Sequence, residues 1–106
     1  MKQIIKTDNA PAPIGPYNQA VLVNDTLYVS GQIGLNPTSM KLVEGGVVAE
    51  TEQVMLNLKA VLAAANMSFD NVIKSTILLL TCTIFQRLMK YMAAILRKQL
   101  LQLENV

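Results

Sequence analysis

Residues 9–34, NAPAPIGPYNQAVLVNDTLYVSGQIG, constrain this chain more than any other stretch. Pro11, Pro13 and Pro16 each fix φ and remove a backbone donor. The residues before them, Ala10, Ala12 and Gly15, are pushed toward extended geometry and away from helix. The chain therefore enters Tyr17 on a largely pre-set path. Residues 17–23 read as a strand, and Asn24-Asp25 as a tight turn whose residues both tolerate the left-handed region. Residues 26–30, TLYVS, are rich in β-branched and aromatic side chains and read as the return strand. Gly31 and Gly34 mark points where the backbone must bend or let something approach closely.

Beyond this hairpin, residues 35–49 read as a loop followed by a short extended piece, with Asn36-Pro37 and Gly45-Gly46 as turn signals. Residues 51–65 are the best helix. Val54, Leu58, Val61, Leu62 and Ala65 recur at three and four residues and form one apolar face expected to pack on the sheet. Thr51 is the expected N-cap, Glu52 suits the positive end, and Asn66 ends the helix. Ser68 or Asp70 caps a turn, and residues 72–80 read as an interior strand. Strand, strand, helix and strand without a repeat predict an α+β fold.

The 106 residues suffice for one domain. A chain of this length buries roughly 60–70% of its unfolded surface, so an oligomer is a plausible way to complete the core. With no histidine present, imidazole general bases, imidazole metal ligands and Ser-His or Cys-His nucleophiles are excluded. Cys82 is the single cysteine, so neither an internal disulfide nor an ordinary zinc site can form, and no cofactor is expected. The start, MKQIIKTD, lacks a signal-peptide core, and no apolar run reaches membrane-spanning length, so the expectation is a cytoplasmic protein with no membrane partner. A net charge of +2 gives no reason to expect nucleic acid.

That charge is uneven. Residues 1–80 carry five Lys against six Asp or Glu, whereas residues 81–106 carry four Lys or Arg against Glu104 alone. After Leu80 the pattern also changes. Phe85, Leu88, Met89, Met92, Ile95, Leu96, Leu100 and Leu103 fall on one side of a helical wheel, opposite Arg87, Lys90, Arg97 and Lys98. This spells a basic amphipathic helix, which either buries one face in the ordinary way or meets an anionic partner.

Residues 14–20, IGPYNQA, followed by residues 27–33, LYVSGQI, resemble the amino-terminal signature of the Rid (reactive intermediate deaminase, YjgF-like) family. Residues 57–62, NLKAVL, and 72–76, VIKST, support the resemblance, which covers residues 1–80 and stops there. It implies an α+β, chorismate-mutase-like sheet with a packed helix, in a homotrimer with pockets between subunits. It also implies hydrolysis of small 2-imino acids, released by pyridoxal-phosphate dehydratases, to 2-keto acids and ammonia. By residue, it places Tyr17, Ser30 and Gly31 as substrate-binding pocket wall, with Tyr28 and Gln32 structural.

Two parts of the family's pattern are missing. The late Pro-Ala-Arg motif, whose guanidinium pairs with the substrate carboxylate, does not occur, and Arg87 and Arg97 stand in a different context. The late glutamate motif is also absent, since Glu104 lies elsewhere. The genetic code accounts for this. When the last base of each codon is read with the first two of the next, with synonymous codons chosen freely, TCTIF entered from Leu80 can give DMHDF. RLMKYMAAILRK can give VNEVYGSYFTE, and LQLENV can give a string that starts Pro-Ala and includes an arginine. These strings resemble the missing middle of a Rid protein. The expectation is therefore an incomplete Rid-like domain over residues 1–80 and an out-of-frame tail over residues 81–106, from a frameshift near codon 81. Two other functions stay open: a non-catalytic regulatory protein, such as an RNA-associated inhibitor of translation, and an inactive pseudogene product.

Overall fold

The structure is a computed structural model and describes residues 2–76. Its secondary structure is α+β: strands β1 (Lys2–Ile5), β2 (Ala20–Val23) and β3 (Thr26–Val29), helix α1 (Gly46–Ala64), and a 3-10 turn at Phe69–Asn71. The chain divides into a unit ending at Met67 and a second beginning at Ser68.

In the first unit the strands form an antiparallel sheet in the order β1-β2-β3. Ile5 pairs with Ala20 and Ala20 with Val29, while Ile4 pairs with Val21 and Val21 with Tyr28. Because side chains alternate, Ile5, Ala20, Leu22, Leu27 and Val29 share one face, and Ile4, Val21 and Tyr28 share the other. The first face packs on α1 through Val61, which is 0% exposed, and with Ile5, Ala10 and Ala20 it forms the core. Burying one such side chain contributes roughly 1.5–3 kcal/mol.

The turn at Asn24-Asp25 is as expected, with Asn24 at a φ of 54°. The strand before it starts at Ala20 rather than Tyr17. Pro16 fixes the backbone there, and the Tyr17 N–H donates to the Gly15 carbonyl at 2.8 Å, which bends the chain. Strand β1 escaped sequence analysis because KQII carries no clear alternation, and three of its four residues are exposed.

Helix α1 starts at Gly46, five residues before Thr51, with Gly45 as N-cap at a φ of 115°. The glycine pair and the β-branched Val47 and Val48 hid this first turn, since both classes are weak helix formers. Thr51 is therefore no cap. It lies buried inside the helix, where its hydroxyl donates to the Val47 carbonyl at 2.6 Å. Glu52 lies past the first turn, so its expected role at the helix start does not hold.

The buried face also differs from the expected one. Thr51, Met55, Asn57, Val61 and Leu62 are buried, whereas Val54 and Leu58 are only half-buried. Thr51 and Asn57 enter the interior because each has backbone partners there, so polarity does not mark the face. The helix ends as expected. Asn66 takes a φ of 59°, its N–H donates to the Ala63 carbonyl, and the Met67 N–H donates to the Leu62 carbonyl. That is the Schellman arrangement.

Between sheet and helix, residues 35–43 fold back through a bridge between Leu35 and Leu42. The Asn36 carboxamide oxygen accepts from the Thr38 and Ser39 N–H groups at 2.8 and 3.1 Å. Gly34 meets its expectation of close approach. A Cβ there would lie 2.9 Å from the Glu50 Cα on α1.

In the second unit Ser68 caps the 3-10 turn as expected, in a capping box with Asn71. Residues 72–76 are not in a strand, and Ile73 is 86% exposed. β-branched composition alone does not make a strand. The remainder of that expected strand, the amphipathic tail, Arg87, Arg97, Glu104 and Cys82 lie outside the described residues. Among the described residues no helix is long and apolar enough to cross a membrane.

Candidate functional site

Tyr17, Ser30 and Gly31 lie at the open end of the β2–β3 hairpin, remote from its turn at Asn24-Asp25. Of these, Ser30 is held by Gln19, which is 3% exposed. Its backbone carbonyl accepts the Ser30 N–H at 3.0 Å and the Ser30 hydroxyl at 2.9 Å. Its side-chain oxygen accepts the Thr7 N–H at 2.7 Å, and its side-chain nitrogen donates to the carbonyls of Thr7, Ala10 and Pro11. One buried carboxamide thus binds the proline lead-in while its own backbone holds Ser30. The amide supplies both donor and acceptor, which is why it can be buried without an unmet polar atom.

Tyr17, two residues earlier, is 47% exposed. Its ring lies over Gly15, where a Cβ would sit 3.3 and 3.4 Å from ring carbons. One edge of the ring therefore lies against Gly15. Ser30 has committed its hydroxyl proton to the Gln19 carbonyl, so its oxygen faces any ligand as an acceptor. At Gly31 a Cβ would meet nothing within 4 Å. Packing within the described residues therefore does not require glycine there, in contrast to Gly34. Ile14 and Ile33 are 76% and 57% exposed and add apolar surface on either side in sequence.

Tyr28, expected to be structural, is 64% exposed on the sheet face turned away from α1 and lies outside the core. The Gln32 side chain donates to the Ser30 carbonyl at a long 3.5 Å. Among the described residues no group of three acidic or cysteine side chains could hold a metal ion.

Sequence reading passed over two residues of this region, Gln19 and Asn57. Asn57 is 0% exposed. Its side-chain nitrogen donates to the carbonyls of Ile33 and Leu35 at 3.2 and 3.0 Å, and its oxygen accepts from the Gln53 side chain at 2.9 Å. The available signal was an asparagine in mid-helix, a position that propensity disfavours and that needs a local reason.

Comparison with known proteins places these features in context. The model of the family described as Endoribonuclease L-PSP matches residues 7–102. The mouse protein named 2-iminobutanoate/2-iminopropanoate deaminase is 53% identical over 79 residues, which is 74% of this chain and 58% of that protein. The chain thus spans less than two thirds of that relative's length. Among solved structures, RidA from the Antarctic bacterium Psychrobacter sp. PAMC 21119 is 43% identical with a TM-score of 0.84, covering 88% of this chain and 75% of that one. The structure of E. coli TdcF with bound serine is 28% identical with a TM-score of 0.84, covering 91% and 75%.

Proposed function

The chain belongs to the Endoribonuclease L-PSP (Rid) family, and from that premise we propose that it carries the scaffold of a 2-imino acid deaminase whose activity is impaired in this chain. The observation that carries this is the 53% identity with the mouse deaminase. In the proposed reaction, water adds to the imine carbon, the carbon–nitrogen bond breaks, and ammonia leaves a 2-keto acid. No redox partner or cofactor is required.

The geometry of the hairpin mouth suits this chemistry. Ser30 offers an oxygen that can accept an N–H of a protonated imine, and the Tyr17 phenol and Gly31 complete a wall open to a small molecule. The serine bound to the E. coli relative carries, like a 2-imino acid, a carboxylate beside a nitrogen-bearing carbon. The proposed site lies in the cytoplasm and is completed by a neighbouring subunit of a homotrimer.

The impairment follows from residues 81–106. A bidentate arginine would orient the substrate for attack, and no Pro-Ala-Arg occurs in the chain. In the shifted frame, the last base of a Leu101 codon with the first two of Gln102 can read Pro. The next two junctions can read Ala and then Arg. The proposed organisation is therefore a Rid-like segment over residues 1–80 followed by an out-of-frame tail. Sequencing the DNA around codon 81 tests it, with a one-base step as the expected result. Codons whose shifted reading lacks Pro-Ala-Arg contradict it.

The family description favours a second reading, action on RNA. It predicts salt-dependent RNA binding. The slight negative charge of residues 1–80, five Lys against six acidic groups, speaks against it.

A further inference from the structure

We propose that Asn57 is a positioning residue, locking the segment that follows Ser30-Gly31 onto helix α1 and so fixing the proposed pocket wall from its far side. The pocket role rests on the deaminase reading; the lock itself does not. Ser30 is tied to the Gln19 carbonyl through its N–H and hydroxyl. Three residues later, Ile33 is tied to Asn57, and Leu35 is tied to the same carboxamide. Gly31 and Gln32 are therefore strung between two fixed points, one on the sheet and one on the helix.

The second point is built for the purpose. The Asn57 side chain is fully buried, and Gln53 one turn earlier donates to its oxygen at 2.9 Å, which fixes the amide plane with both donors toward the loop. Gly34, between the two bound carbonyls, lies so close to α1 that a Cβ would touch Glu50. The Gly34 carbonyl accepts the Val43 N–H at 2.9 Å, so the grip extends to the rest of the loop.

Amide hydrogen exchange on the frame-restored protein, which keeps residues 1–80 and is expected to be soluble, tests the lock. Asn57→Asp is nearly isosteric and keeps the acceptor for Gln53, but it sets a carboxylate against two carbonyls. Exchange at Leu35, Asn36 and Val43, each bonded within the loop, should accelerate about tenfold or more, with Ser30 and the hairpin unchanged. The Gly31 amide resonance should shift. Burial against carbonyl oxygens raises the introduced carboxyl's pKa, so lowering pH protonates it and restores one donor. Exchange relative to the unaltered chain at the same pH should then recover in part, which simple destabilisation would not give. If Asn57→Asp does not fold, Gln53→Ala leaves both donors present but unsteered, and should accelerate the same three amides about threefold. Uniform acceleration across Ser30, hairpin and loop overturns the lock, as does an unchanged loop. Because exchange measures no turnover, the expected exchange pattern with no turnover from the frame-restored protein would count against the deaminase reading alone.

Discussion

The Gln19 carbonyl accepts two hydrogen bonds from Ser30, one from its N–H at 3.0 Å and one from its hydroxyl at 2.9 Å. This double attachment extends the β2–β3 pairing one step past its last ladder pair, Ala20 with Val29. It also sets the direction in which the Ser30 oxygen can act.

Gln19→Leu should therefore reach beyond its own position. It keeps the backbone bonds to Ser30 but strips partners from the Thr7 N–H and from the carbonyls of Thr7, Ala10 and Pro11. A buried polar group left unmet costs about 1–3 kcal/mol, so a total loss of roughly 2–4 kcal/mol is expected in urea denaturation. A loss under about 0.5 kcal/mol, the surface range, would place the lead-in outside the folded unit.

Val61 and Leu58 should separate clearly. Val61 is 0% exposed among Ile5, Ala10 and Ala20, while Leu58 is half-buried. Val61→Ala should cost about 2–3 kcal/mol from lost burial and the cavity left behind, and Leu58→Ala roughly half that, measured by the shift of the denaturation midpoint. The reverse order would mean that Leu58 rather than Val61 sits at the centre of the helix face packed on the sheet.

The difference between those two faces shows what the sequence could carry. The hairpin turn, the α+β class, the end of α1 at Asn66 and the Ser68 cap were legible because each rests on local chemistry: a left-handed φ, a hydrophobic period or a side-chain acceptor. The start of α1 was not, because Gly45-Gly46 spells a turn and Val47 and Val48 are weak helix formers. Thr51 was misplaced, and Asn57 passed over, for a related reason. Their burial depends on carbonyls at Val47, Ile33 and Leu35, and the Asn57 partners are more than twenty residues distant in sequence. Of the candidate site, motif resemblance found Tyr17, Ser30 and Gly31, but Gln19 and Asn57 became visible only through their hydrogen bonds.

In a protein with the frame restored, Tyr17→Phe should lower imine turnover while leaving thermal stability within about 0.5 kcal/mol of the parent. The ring packing over Gly15 is retained, and the phenol hydroxyl has no partner among the described residues. A stability loss with turnover intact would make Tyr17 a structural aromatic instead.

The most direct measurement compares two proteins, the 106-residue chain and the product of the same gene corrected by one base near codon 81. A threonine dehydratase generates the imine in place, and release of ammonia or keto acid above the uncatalysed rate is followed. The 106-residue chain should show no rate above background and should aggregate, while the corrected protein should be soluble and active. Equal activity and solubility in the two would contradict both the arginine requirement and the frameshift.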